Sequence, residues 1–344
     1  MVKSNENLFK VIDTSNLIIT GYGYFIGKES NRLIIKDKGK KIAEYSMNSL
    51  DHIYITSSCS LSSSFINSAC RKGIKICIWS KGYPSVLISS PYLSAFVNAK
   101  RAQFDSYKNQ KGIIAIKKVI NSKIENQKNV LKYFSKNSTD ENIHSEFEYI
   151  LNKLDFWLEK LDKVNGDNID EVRQDILYIE AMSAKEYWGG VKRIVRGYAD
   201  FNGRNYLSQD TFNICLNFLY SLLYSIVWMA IINSGLEPFA GFLHTDRPGK
   251  ASLVYDLSEP FKQRLVDKLL IGMVKKKVKL SVRLGRISNK TLNLLSSKFA
   301  DELLKKERYK GKNFTLNSII QKNIYSFVDE IKDNGVYIPY KFKW

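Results

Sequence analysis

Between Leu17 and about Ser90 the chain alternates apolar and polar positions in short runs broken by Gly, Asn and Lys turns. Six of these runs read as strands: Tyr22–Ile26, Arg32–Lys36, Ile42–Ser46, Asp51–Ile55, Ile74–Trp79 and Ser85–Ile88. One helix interrupts them. Ser62–Lys72 places Phe65, Ile66, Ala69 and Cys70 on a single helical face and ends at Gly73, a residue suited to a left-handed C-cap. After Pro84 and Pro91 no proline occurs until Pro238, and the period of the apolar positions changes from two to 3.6. Helical patterns then cover Leu93–Gln110, Ile114–Ser135, Ser145–Asn165, Asp170–Tyr198, Asp210–Asn233, Pro260–Lys275, Asn289–Lys306 and Leu316–Lys332, with Lys136–Asn142 and Asn165–Asn168 as polar turns and an extended aromatic end, Tyr337–Trp344. The expected fold class is α+β: a small N-terminal mainly-β domain over residues 1–90, followed by a larger all-α domain over 91–344 that carries the chemistry.

The helix Asp210–Asn233 is the most apolar. Its segment Leu216–Ile232 is slightly short for a membrane span and bears Asn213, Asn217, Ser221 and Ser225 at steps of four, a polar stripe along an otherwise apolar helix. It reads as a core helix whose stripe meets neighbouring polar groups or, at its first turns, a reaction site. No membrane association is expected, and the N-terminus lacks the order of a signal peptide. Four cysteines without a C-x-x-C pair suggest neither a zinc site nor a disulfide framework, which fits a reducing, cytoplasmic setting.

Composition narrows the partner. Lys and Arg number 53 against 34 Asp and Glu, a formal charge of +19. Such an excess favours a polyanion, with nucleic acid the natural partner, bound by phosphate neutralisation with strong salt dependence. A lysine-rich composition with no polyanion partner is the plain alternative.

In so basic a chain, clustered acids stand out. His52 falls on an expected strand and His144 in an acidic helix start, both structural or exposed positions. His244 leaves the apolar Gly241-Phe242-Leu243 for the charged turn Thr245-Asp246-Arg247-Pro248-Gly249, and Asp246, Asp256 and Glu259 follow within fifteen residues. With a helix beginning at Asp256 and Pro260 in its first turn, Asp256 and Glu259 lie near one end, where Asp256 is either an N-cap or a metal-directed acid. Oxygen donors with one imidazole suit Mg²⁺ or Mn²⁺. The best candidate for a third donor from another segment is Glu180, set among small residues in Ile179-Glu180-Ala181-Met182-Ser183-Ala184, where a solvated surface position is the alternative.

These segments, in this order, resemble a known family. Asp210–Ser225, Gly235-Leu236-Glu237-Pro238, Gly241–Gly249, Ser252-Leu253, Asp256-Leu257 and Glu259-Pro260-Phe261 resemble the signature of CRISPR-associated protein one, the integrase of spacer acquisition. Upstream, Ile179-Glu180-Ala181, Ala184, Tyr187-Trp188 and Phe201-Asn202-Gly203-Arg204 resemble its acidic helix and linking segment. The resemblance implies a metal-dependent DNA endonuclease and integrase that inserts captured fragments into a repeat array by 3′-hydroxyl attack on a phosphodiester. It implies Glu180, His244 and Glu259 as metal ligands, with Asp256 an accessory acid. Ala181 stands where the family often has Gly, and Glu259 where some members have Asp. Arg193, Arg196, Arg204, Arg247 and Lys250 are candidate phosphate contacts, and Tyr220 and Tyr224 either border the site or pack in the core. Implied partners are double-stranded and branched DNA, a second copy through the β domain, and a small ferredoxin-like second adaptation protein. Two alternatives share the fold: a metal-dependent nuclease on branched repair intermediates, and a non-catalytic DNA-binding scaffold.

Overall fold

The computed structural model describes residues 9–13, 16–20, 22–80, 83–90, 97–136 and 141–343. The strands are β1 (Phe9–Asp13), β2 (Asn16–Ile19), β3 (Phe25–Glu29), β4 (Arg32–Asp37), β5 (Lys40–Ser46), β6 (His52–Ile55) and β7 (Ser60–Leu61), then β8 (Lys75–Ser80) and β9 (Tyr83–Ile88) after helix α1 (Ser63–Arg71). They form a five-stranded mixed sheet, β1-β2-β6-β8-β9, and a four-stranded sheet, β5-β4-β3-β7. The alternation read from sequence sets which side chains turn inward: Leu17, Ile19, Ile53, Ile55 and Ile76 from one sheet and Ile26, Leu33 and Ile35 from the other share one core with Phe65 and Ala69 of α1. That helix starts where Ser62 accepts from the Phe65 amide and stops before Gly73, whose φ is +75°.

The helical part comprises α2 (Val97–Tyr107), α3 (Gln110–Ser135), α4 (Glu141–Asp162), α5 (Ile169–Val195) and α6 (Thr211–Asn233). It continues with α7 (Ser252–Lys262) and α8 (Lys268–Lys275), joined by a π-helical turn at Gln263–Asp267. A short hairpin of β10 (Val282–Arg283) and β11 (Arg286–Ile287) precedes α9 (Asn289–Leu304); a second hairpin, β12 (Lys306–Tyr309) with β13 (Lys312–Thr315), precedes α10 (Leu316–Ile331). The strand-rich start and mostly helical remainder agree with the expected fold class.

Helix α6 satisfies the length and composition of a membrane span, yet 72% of its most apolar window is buried inside the fold. Its stripe is divided. Asn213 and Asn217 hold the preceding segment, accepting from Arg204, while Ser221 and Ser225 return their hydroxyls to the carbonyls of Phe218 and Ser221. The C-terminal aromatic segment docks on α3: Asn126 donates to the carbonyls of Pro260 (2.7 Å) and Tyr340 (3.0 Å) and accepts from the Phe342 amide. One buried amide thereby ties α3, α7 and the tail together.

Three features differ from the sequence reading. The chain divides into residues 1–94 with 289–305, and residues 95–288 with 306–344, so α9 belongs to the first unit and not to the helical domain. The reason is its face: Leu295, Phe299 and Leu303, spaced by four, are fully buried and the helix packs on β1. The two hairpins interrupt what was expected as helix alone. Finally, α7 begins at Ser252, eight residues before Pro260, so Asp256 is mid-helix and no N-cap. The expected boundary near Pro91 lies outside the described residues.

Phe299→Ala tests the placement of α9. Loss of a buried ring costs about 3–5 kcal/mol, and hydrogen exchange should accelerate in β2, β6 and β8 while α3 and α5 stay protected.

Candidate active site

Helices α3, α5, α6 and α7 of the second unit surround an open cavity of about 730 Å³. Its lining includes Glu180 from α5, Glu259 from α7 and His244 from the loop before α7, three residues separated by up to 79 positions in sequence. Ala181 and Ala184 line it beside Glu180, so the small residues of α5 leave the carboxylate accessible.

The loop carrying His244 is fixed at both ends. Gln103, 1% exposed, accepts from the Glu237 amide and donates to the Glu237 and Ala240 carbonyls. Gly241 then passes so close to α7 that a Cβ there would lie 2.5 Å from that of Ser252 and 3.1 Å from Asp256 Oδ2. The close approach lets Asp256 collect the loop's donors. Its Oδ2 accepts from the amides of Phe242 (2.7 Å) and Leu243 (3.0 Å), and its Oδ1 from the amide and Nδ1 of His244 (3.1 and 2.6 Å). A carboxylate with this many donors is committed, so Asp256 is a support and not a cavity ligand. Because a carboxylate only accepts, Nδ1 carries the hydrogen and Nε2 is left as the imidazole's donor atom.

Opposite His244 lies a charged cluster. The Lys123 ammonium of α3 bridges Glu180 Oε1 and Glu259 Oε2, the latter at 2.8 Å, and Lys262 reaches Glu259 Oε1 at 2.7 Å. Burial would raise the Glu259 carboxyl, but Lys123, Lys262 and His244 hold it at about 2. Burial would also strip the proton from Lys262, yet Glu259 keeps it above its ordinary range. Glu259 Oε2 has no well-directed hydrogen bond despite its proximity to Lys123, and the buried Oε1 atoms of Gln127 and Gln263, residues that line the same cavity, have no partner. Among the described residues no three His, Cys, Asp or Glu side chains converge as a ready cage, because an ammonium stands between the acids. The donor types, two carboxylates and a free imidazole nitrogen, still fit a hard or borderline divalent cation.

Behind the cavity, Asp267 is wholly buried and accepts from the hydroxyls of Tyr220 (2.5 Å) and Tyr187 (2.9 Å). Burial pushes its carboxyl up to about 6, against the pull of the two hydroxyls. Tyr220 and Tyr224 both border the cavity, with Lys262 5.4 and 5.3 Å from their ring centres.

Of the five basic candidates, Arg204 lines the cavity, held by Asn213 and Asn217 over the Tyr220 ring. Arg247 and Lys250 close the turn just after His244, while Arg193 pairs with Glu146 and Arg196 ends α5. His52, on β6, bonds Asn16 of β2 and belongs to the first unit; the His144 side chain lies outside the described residues. Sequence reasoning missed Lys123, Lys262, Gln127 and Gln263. A faint signal existed, since Lys123 and Gln127, and Glu259 and Gln263, are each four apart on facing helices.

The family model for CRISPR associated protein Cas1 matches residues 17–285. The chain belongs to the Cas1 family. A CRISPR-associated endonuclease Cas1 of Francisella tularensis subsp. novicida is 31% identical over 334 residues, covering 96% of this chain and 99% of the relative. A solved casposase bound to integration product superposes with a TM-score of 0.77 at 23% identity, over 96% of this chain and 94% of that one. A Cas6-RT-Cas1–Cas2 complex superposes with a TM-score of 0.76 at 17% identity, over 97% of this chain and 36% of the longer one. These two structures support the fold, which carries the acidic cavity in its helical unit.

Two substitutions test the loop anchor and the buried acid. Asp256→Ala strands the buried amides of Phe242 and Leu243, at about 1–3 kcal/mol each, and urea denaturation should show that loss. Asp267 has its folded pKa raised above that of an unfolded Asp, so its contribution to stability is intact below about pH 4 and lost as pH rises through about 6. The melting-temperature difference between Asp267→Asn and the parent should therefore shift in the variant's favour between pH 4 and 7.

Proposed function

We propose that this chain is a DNA endonuclease and integrase of CRISPR adaptation, joining captured fragments to a repeat array through attack of a DNA 3′-hydroxyl on a phosphodiester. The observation that carries it is the meeting of Glu180, His244 and Glu259 on one cavity inside a Cas1 fold. The likeness to an endonuclease supports cleavage, and the likeness to a casposase bound to integration product supports strand joining. Glu180, Glu259 and His244 Nε2 would hold Mg²⁺ or Mn²⁺, which when bound supplies Lewis-acid activation of the phosphate and charge stabilisation.

The chain's own groups do the remaining work. Asp256 fixes the imidazole so that its free nitrogen faces the cavity without a reorganisation step. Lys262 and Arg204 present charge toward a phosphodiester, with Arg204 pre-oriented by Asn213 and Asn217. Arg247 and Lys250 beside His244, and Arg196 at the end of α5, would contact phosphates of the flanking duplex, as would Arg193 once it leaves Glu146. Water in place of the 3′-hydroxyl gives hydrolysis by the same constellation.

Partners follow the same reading: duplex and branched DNA, a second copy of the chain through the β unit, and the small second adaptation protein. The solved complex that contains both Cas1 and Cas2 supports the last of these.

Strand transfer of a short duplex donor into a supercoiled, repeat-bearing plasmid, with the second adaptation protein present, tests the proposal. Glu180→Gln, His244→Ala and Glu259→Gln should each lower joined product by on the order of a hundredfold or more, and chelation should abolish it. Cleavage of branched DNA with no joining would favour a repair nuclease; DNA binding with no chemistry in the parent protein would leave a scaffold.

A further inference from the structure

The acid pair is already a cation site. Lys123 is 8% exposed at its side chain, and its ammonium touches Glu180 and Glu259 together. Lys262 neutralises the other oxygen of Glu259, so Lys123 is the group that answers the second negative charge. A divalent ion held by the same two carboxylates would sit within a few ångströms of this ammonium. At such separations two like charges in a partly buried site repel strongly, so both cannot occupy contact distance.

A displaced lysine has somewhere to go. Its stem is flexible, and the cavity is about 730 Å³, opens to solvent and is lined by further cations: Lys185, Lys192, Arg204 and Lys262. Left there without an anion, Lys123 would add to that repulsion. A DNA phosphate in the cavity would relieve it.

We propose that Lys123 and the divalent cation are alternative partners of the Glu180–Glu259 pair, and that the ammonium released by the cation is taken up by a DNA phosphate. Lys123 is thus a positioning residue that couples metal loading to DNA binding. By linkage the coupling is reciprocal, so DNA tightens the metal by the factor by which metal tightens DNA. The idea rests on the metal site assigned above.

The test is titration of the full chain with Mn²⁺, read as loss of the free-ion paramagnetic resonance signal, with and without a short duplex. A Glu180→Gln sample corrects for ions bound by DNA alone. Lys123→Met should bind Mn²⁺ at least tenfold more tightly than the parent without DNA, and its melting temperature should rise further on Mn²⁺ addition. The duplex should tighten Mn²⁺ binding in the parent and do so far less in the variant. Lys123→Gln, which keeps a donor for one carboxylate without the charge, serves as a second variant if Met destabilises the fold, and should behave alike. In the unaltered protein, Mn²⁺ without DNA should speed modification of Lys123 by an amine reagent, and duplex should reverse that.

Variants that fold, yet bind Mn²⁺ no more tightly than the parent and keep the full effect of DNA, would overturn the coupling while leaving the metal site standing. A parent protein that binds no more Mn²⁺ than Glu180→Gln would instead remove the metal site, and the coupling with it.

Discussion

The site is organised around one buried carboxylate. Asp256 accepts three consecutive backbone amides and the Nδ1 hydrogen of His244, which closes an eleven-residue excursion onto the middle of α7. The loop could not take this course without Gly241, because a side chain there would collide with Ser252 and crowd Asp256 itself. Loop path, imidazole tautomer and the orientation of the free nitrogen are thus set by a single group that never enters the cavity. Its role is that of an outer support, which fixes a ligand's direction by occupying the ligand's other hydrogen bond.

The opposite wall is built by charge balance. Two acids in a chain of formal charge +19 would attract lysines wherever they stood, but here the lysines are buried with them and come from defined helical positions. Lys262 is one turn beyond Glu259 on the same helix, whereas Lys123 arrives from α3. The contact between α3 and α7 is itself enforced by Asn126, which bonds the Pro260 carbonyl and the C-terminal tail. A buried pair of this kind adds little net stability, since desolvation offsets most of the attraction. What it does is hold two carboxylates close together in the protein alone.

Much of the fold was legible from period and punctuation. The switch from a spacing of two to 3.6, the helix start at Ser62 with its C-terminal stop at Gly73, and the extent of α6 follow from local sequence, and the structure repeats them. The two late hairpins were legible too and were overlooked. Leu284-Gly285 and Lys310-Gly311 both take consecutive positive φ angles, the signature of two-residue turns, as Lys38-Gly39 does in the β unit. The return of α9 to the first unit was not legible, because an amphipathic stripe states that a face is buried and not which partner buries it. In the site, Glu180 and His244 stood out as an acid among small residues and a histidine at an apolar edge. Lys123 did not, since a lysine in a basic helix looks solvated until another helix places two carboxylates against it.

Pro260 shows how the pieces are connected. Within α7 it lacks the N–H that would bond the carbonyl of Asp256, and its ring crowds that turn. The helix relaxes immediately afterwards into the π-helical turn Gln263–Asp267, which inserts an extra residue into the winding. Residues before the bulge keep an α-helical register, so Asp256 and Glu259 lie about one turn apart, Asp256 against the loop and Glu259 on the cavity. Past the bulge the register has shifted, and Asp267 turns under Tyr187 and Tyr220. A straight helix repeats one face every 3.6 residues and would carry a single carboxylate stripe. In a straight helix Asp267, eleven residues after Asp256, would return to about the same face; the π-helical turn shifts it off that face, so that one segment supplies a loop anchor, a cavity acid and a buried brace in twelve residues.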